Sequence, residues 1–221
     1  RGGPSTDSTP RTGIQKNVRT KLQIKSFLLQ QSLPEPEGTK WTNQYISQLA
    51  QMELPSQLSF TLQVHRATLI QGKEMMKQIN KQIRELSRQD RHKQNVRIAR
   101  THPGVGIQTA MTFLTEIFRP ARFEGPHAVS KLLGLAPKVK QSGEKRIEGG
   151  RIHAGHDGVR RLLVQAAWNW IRYDAWAKEK FKHLCSNTGN ENKAIVAMAR
   201  RMSVNLWCML TRGRDYVQGG P

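Results

Sequence analysis

Leu62, Leu69, Met76 and Ile83 recur seven residues apart, and Leu58, Ile79 and Leu86 occupy the matching offset. A helix can keep such a row on one face, whereas a strand alternates its faces every residue. The row commits the stretch from about Ser56 to Arg100 to helix, with an apolar seam that must be covered. His65 and Gly72 weaken the second row, so two readings stand. One is a coiled coil with a partner helix; the other is an amphipathic helix in a bundle.

The rest of the chain repeats helical spacing. Ile14, Val18, Leu22 and Leu29 form a stripe, with Arg19, Lys21 and Lys25 off it. A breaker cluster from Leu33 to Gly38 separates this helix from a short one over Trp41–Met52, with Trp41, Tyr45, Ile46 and Leu49 facing inward. Further helices are predicted over Ile107–Phe118, Pro126–Leu133, Asp157–Cys185 and Lys193–Leu210. The third buries Val159, Leu163, Ala166, Trp170, Ala177, Phe181 and Leu184; the last buries Ile195, Met198, Met202, Leu206 and Met209. Gly134–Gly155 is rich in Gly and Lys without a period, which fits a loop or a short hairpin. The fold class is all-α, in three parts. Residues 1–13 are a disordered lead-in, 14–100 a helical coiled-coil segment, and 101–216 a compact helical domain.

Charge narrows the partner. Thirty-six Lys and Arg stand against 16 Asp and Glu, a formal net charge of +20 spread along the chain. That balance selects a polyanion, and nucleic acid above all. No run of about 18 apolar residues is present to span a membrane. Cys185 and Cys208 stand far apart and offer neither a disulfide framework nor a metal-binding CxxC pair, which suits a reducing cytoplasm. Residue 1 is Arg and no apolar signal stretch follows, so the chain is expected to be a fragment or a processed product.

Four constellations could carry chemistry. Pro103-Gly104-Val105-Gly106 precedes an apolar helix in the manner of a helix-hairpin-helix. There Gly104 and Gly106 would let backbone N–H groups reach a phosphate behind a helix N-terminus. The alternative is a plain glycine turn. In the segment from Lys138 to Arg146, Ser142 stands among Lys138, Lys140, Lys145 and Arg146. A serine so placed could attack phosphorus and hold DNA covalently while the cations stabilise the pentacovalent charge; otherwise this is a solvated basic turn. Ser142-Gly143-Glu144-Lys145 also fits S-x-x-K, but glycine takes the first step and no downstream partner motif follows. Third, His153, His156 and Asp157 lack further ligands at a metal-binding spacing, so Asp157 reads as a helix N-cap and no metal site is expected. Fourth, Arg160 and Arg161 oppose the dipole at a helix start, which favours phosphate contact over a stabilising role. Arg200 and Arg201 are placed similarly. Trp168, Trp170, Trp176 and Trp207 fall mostly on apolar faces and read as core.

Taken in order, PGVG with its apolar helix, GLAP, SG, GGRIH, VRRLLVQAAW, KAIVAMARRM and RGRDY resemble the C-terminal domain of insertion sequence 110 family transposases, from about Pro103 to Tyr216. Arg19–Leu33 is similar to that family's basic helix, and the heptad segment to its coiled-coil middle. The resemblance implies DNA transposition and site-specific recombination, with Ser142 as nucleophile on the scissile phosphate and a covalent protein–DNA link. It implies a divalent metal, Mg, held by four acidic residues of an N-terminal RuvC-like domain. This chain has no such acidic quartet, so no cofactor is expected within it. DNA is the implied partner, with a structured RNA from the element as guide. A homo-oligomer through Leu62, Leu69, Met76 and Ile83 is expected, as is a cytoplasmic, nucleoid-associated location in a bacterium or archaeon. One departure stands out: where the family has I-x-K-x-G, this chain reads Ile152-His153-Ala154-Gly155. The rival readings are a non-catalytic DNA- or RNA-binding module and an inactive remnant.

Overall fold

The computed structural model describes residues 8–142, 145–151 and 157–219. It divides into two units, residues 1–82 and 83–221. The all-α expectation holds, with one antiparallel hairpin inserted.

In the first unit, α1 (Ser8–Gln30), α2 (Asn43–Ala50) and most of α3 (Ser56–Ser87) share a core. Ile24, Phe27 and Leu28 of α1 meet Tyr45, Ile46 and Leu49 of α2 and Leu62 and Leu69 of α3. Thr42 caps α2 by accepting a hydrogen bond from the Tyr45 N–H, as an N-cap threonine should. α1 and α3 run antiparallel: Gly13 lies beside Met76, and Gly72 lies against the Asn17 side chain. Gly72, one of the two weak members of the heptad row, is thus where the Asn17 side chain of α1 takes the space a Cβ would fill.

Three expectations are corrected here. The helix begins at Ser8 rather than after residue 13; Pro10 falls in the first turn, where its missing N–H costs nothing. Ile14, Val18, Leu22 and Leu29 are exposed at 47%, 51%, 62% and 81%. The buried stripe is Thr20, Ile24, Phe27 and Leu28 instead, because that face meets both α2 and α3. Finally, the seven-residue row is used inside the chain. Leu62 and Leu69 are 2% and 0% exposed within the first core, while Ile83 packs on the second. It cannot also serve, as a whole, as the seam of a dimer.

The second unit starts at Ile83 rather than near residue 101, because the following helix belongs to its core. α4 (Asp90–Arg100) contributes Val96, Ile98 and Ala99. α5 (Ile107–Ile117) contributes Ala110, Phe113, Leu114 and Ile117. A 3₁₀ turn at Pro120–Arg122 is pinned by the Trp207 indole N–H, which donates to the Pro120 carbonyl at 2.9 Å. α6 (Pro126–Leu132) follows, then a hairpin of β1 (Pro137–Ser142) and β2 (Lys145–Arg151). α7 (Asp157–Tyr173), α8 (Ala175–Thr188) and α9 (Glu191–Arg212) complete the unit. Ile195, Met198, Met202, Leu206 and Met209 of α9 are all buried, as their spacing predicts. Each such burial stabilises by about 1.5–3 kcal/mol before entropy is counted.

The expected single helix over Asp157–Cys185 is two. Asp174 leaves the helical region at φ −125° and ψ 120°, and its Oδ1 accepts a hydrogen bond from the Ala177 N–H at 2.8 Å, capping α8. No glycine or proline marks this break.

Candidate nucleic-acid interface

The turn between α4 and α5 uses its two glycines differently. Gly104 has φ +86°, and a Cβ there would run into the backbone of α7, at the Ala166 carbonyl oxygen and 2.8 Å from the Trp170 nitrogen. Its glycine is required by packing. Gly106 is the N-cap of α5 with ordinary φ −88°, is exposed, and would place a Cβ in open space. No side chain caps this end of α5, where the positive end of the helix dipole lies beside the exposed Gly106.

The glycine and lysine stretch is the hairpin. Pairing is antiparallel, with Ser142 opposite Lys145, Gln141 opposite Arg146 and Lys140 opposite Ile147; the register shifts between Pro137 and Val139, around Lys138. Positions 140, 142 and 145 therefore share one phase of the pleat, and position 146 the other. The hairpin thus gathers Ser142 and its expected cations onto two short paired strands. His153 and His156 lie outside the described residues. Asp157 is the first residue of α7 rather than the cap before it.

Arg160 and Arg161 stand on the first turn of α7, half-buried and exposed respectively. With Asp157, Val164, Gln165 and Trp168 of α7, and Asn192, Ile195 and Val196 of α9, they line a cavity of about 490 Å³. The Arg161 Nε donates to the Asp157 carbonyl at 3.3 Å. Trp168 is 39% exposed and meets Phe181 edge-on, its ring centroid 5.3 Å away. The sequence places Trp168 among the core tryptophans and singles out neither Gln165 nor Asn192. The available signal was spacing: Arg161, Val164 and Trp168 lie off the buried Val159, Leu163, Ala166, Trp170 stripe.

A part-buried polar cluster holds the segment after α9. The Tyr216 hydroxyl donates to Asp174 Oδ2 at 3.0 Å and accepts from the Trp170 indole N–H at 3.1 Å. The Tyr216 N–H donates to Thr101 Oγ1 at 2.8 Å, and Arg97 pairs with Asp215 at 3.0 Å. Burial, with the Asp174 carboxylate adding to it, pushes the Tyr216 phenol up to about 12, so it stays a donor across the working range. The RGRDY motif therefore ties the segment after α9 to α4 and to the α7–α8 break.

His102 lies under this cluster, 1% exposed, with ring centroids 4.7 Å from Trp170 and 4.4 Å from Tyr216. Its Nδ1 is 2.9 Å from the Pro103 carbonyl and its Nε2 has no partner. Burial lowers its pKa from 6.5 to about 4, against smaller opposing effects of the Pro103 carbonyl and Asp174. The unfolded chain then binds the proton first. Stability is complete above pH 6.5 and falls as pH drops from 6.5 to about 4, by about 3 kcal/mol in all. Thermal melts across that window should show this slope, and His102→Leu should flatten it; an unchanged slope in the variant would contradict the assignment.

Among the described residues no three His, Cys, Asp or Glu side chains group closely enough to hold a metal ion. They do not fit the divalent metal, which the resemblance places on a separate RuvC-like domain. No described helix is long and apolar enough to cross a membrane.

A helical unit with a glycine turn that packs on α7 and ends at an exposed Gly106, a Ser-bearing basic hairpin and an arginine-lined cleft is the class of protein that the geometry defines. Residues 96–182, from the end of α4 into α8, match the sequence model of the transposase IS116/IS110/IS902 family. Over that segment the chain is similar to transposases of the IS116/IS110/IS902 family. A Sinorhizobium fredii protein, y4qE, whose name places it among transposases, is 25% identical over 93% of this chain and 56% of its own length. The transposase for insertion sequence element IS1111A of Coxiella burnetii is 30% identical over 52% of this chain and 32% of its own length. The transposase for insertion sequence element IS1328 of Yersinia enterocolitica is 22% identical over 90% and 60%. The chain thus spans between about a third and three fifths of the length of these relatives.

Proposed function

We propose that this chain is the DNA-handling part of a transposase and supplies Ser142 as the nucleophile for strand transfer. The observation that carries the reading is the family match over 96–182, which encloses both the α4–α5 turn's Gly104 and Gly106 and the hairpin with Ser142. In the reaction, Ser142 Oγ forms an ester bond to phosphorus as one phosphorus–sugar oxygen bond breaks. The serine proton goes to solvent or a base, and the leaving oxygen takes one up. The ester conserves the phosphodiester bond for rejoining. Lys138, Lys140, Lys145 and Arg146 stabilise the extra negative charge of the pentacovalent state. Gly106 and the start of α5 hold backbone phosphate, and Arg160 and Arg161 add contacts that position without reading sequence.

A metal-dependent RuvC-like domain is expected from polypeptide outside residues 1–221, and a structured RNA as guide. Bringing two serines to two strands calls for a second copy, docked on residues other than Leu62 and Leu69.

The binding half is tested by salt titration. With roughly six cations on phosphate, the slope of log K against log salt should be about −5, and affinity should fall roughly 10³-fold between about 50 and 200 mM salt. Charge reversal at Lys140 and Lys145 should flatten that slope. A slope near zero would remove the nucleic-acid assignment. A steep slope with no loss of strand transfer in Ser142→Ala would leave a binding module.

A further inference from the structure

We infer that the cleft between α7 and α9 is a binding site for a single unpaired nucleotide, with the base against Trp168 and its phosphate on Arg160 and Arg161. The inference rests on the nucleic-acid reading above and goes beyond it, because that reading needs only backbone contacts.

Three observations converge. The cavity, about 490 Å³, is within the range of small-ligand sites and large enough for a base with its sugar. Its lining pairs an indole with two guanidinium groups and two carboxamides, Gln165 and Asn192, over an apolar floor of Val164, Ile195 and Val196. That is the donor, acceptor and stacking set a base and its phosphate need, and an ordinary solvated helix groove has no use for it. Asp157 subtracts one charge, which leaves the pair of arginines a net positive rim. Third, Trp168 departs from its neighbours. Trp170 is fully buried in the core, whereas Trp168 leaves 39% of its surface exposed at the cleft. Phe181 meets the indole in a T-shaped contact, which leaves the ring part-exposed.

A paired base cannot enter, since its stacking face and pairing edge are both occupied. The site therefore selects single strands, loops and extruded bases over continuous duplex. Whether the strand is DNA or RNA does not alter the stacking or the phosphate contact, so both are tested.

The experiment uses the whole chain and three labelled probes of equal length: single-stranded DNA, single-stranded RNA and fully paired duplex DNA. Binding is followed by fluorescence anisotropy. Trp168→Ala should weaken binding to at least one single-stranded probe about tenfold and leave duplex affinity within about twofold. Trp168→Phe should restore most of the loss, which a merely structural role for the indole would not predict. The probe that suffers more identifies the strand. Equal losses on all three probes, or none on either single strand, would overturn the cleft while leaving duplex binding and the broader reading intact. Failure of the unmodified chain to bind any probe would overturn both.

Discussion

Gly104→Ala is expected to lower the melting temperature of the chain by about 10 °C. Two causes add. An L-residue at φ +86° pays about 1–2 kcal/mol in backbone strain. The new Cβ also meets backbone of α7, at the Ala166 carbonyl and the Trp170 nitrogen, and neither can swing aside as a side chain would. Relieving that clash separates the α4–α5 turn from α7, beside Trp170 and His102. A total of roughly 3–5 kcal/mol is a large part of the stability of a domain this size. Gly106→Ala is the matched control. Its backbone is ordinary and its surroundings open, so it should cost about 0.5 kcal/mol as an N-cap change. Thermal melts separate the two, and equal shifts would contradict the division of labour between these glycines. If Gly106 holds phosphate, its alanine variant should also bind DNA several-fold more weakly while Tm falls by only about 1–2 °C.

Ser142→Ala is expected to abolish strand transfer while leaving DNA affinity within about twofold. Removing Oγ removes the atom that would bond to phosphorus, so the loss should be on the order of 10³-fold or more, as for other covalent nucleophiles. The hairpin should survive, because its pairing with Lys145 is made by backbone and alanine satisfies the same register. The assay joins this chain to a metal-bearing RuvC-like domain and follows cleaved and joined DNA on denaturing gels, with affinity measured in parallel. Wild-type rates in the variant would assign the chemistry elsewhere and leave this chain a binding role. Lys145→Ala, at the register partner of Ser142, should fall between the two.

Much of the second unit was legible because one periodic stripe per helix met one core. Ile195, Met198, Met202, Leu206 and Met209 admit a single buried face, and α9 uses it. The break at Asp174 was hidden because its signal is tertiary. The carboxylate caps α8 with one oxygen and receives Tyr216 with the other, and that second partner stands 42 residues away. In α1 two apolar stripes compete, and spacing alone does not say which one α2 and α3 will cover. The heptad row correctly announced a helix seeking a partner, but a period is silent on whether the partner comes from the same chain. Trp168 was grouped with core tryptophans by helical spacing, whereas it leaves 39% of its surface exposed in the cleft between α7 and α9. Ser142 and its cations were legible as a cluster because they are local in sequence. Their pairing into a hairpin was one of two readings the sequence left open, a loop being the other, since Gly and Lys carry little strand preference.

The most direct test of the account is to find the covalent bond itself. The assembled protein is incubated with its DNA substrate, denatured, digested, and searched by mass spectrometry for a nucleotide-bearing peptide. The account predicts one adduct, located on Ser142 and absent from Ser142→Ala. Cleaved DNA with no adduct, or with an adduct on another residue, would contradict it.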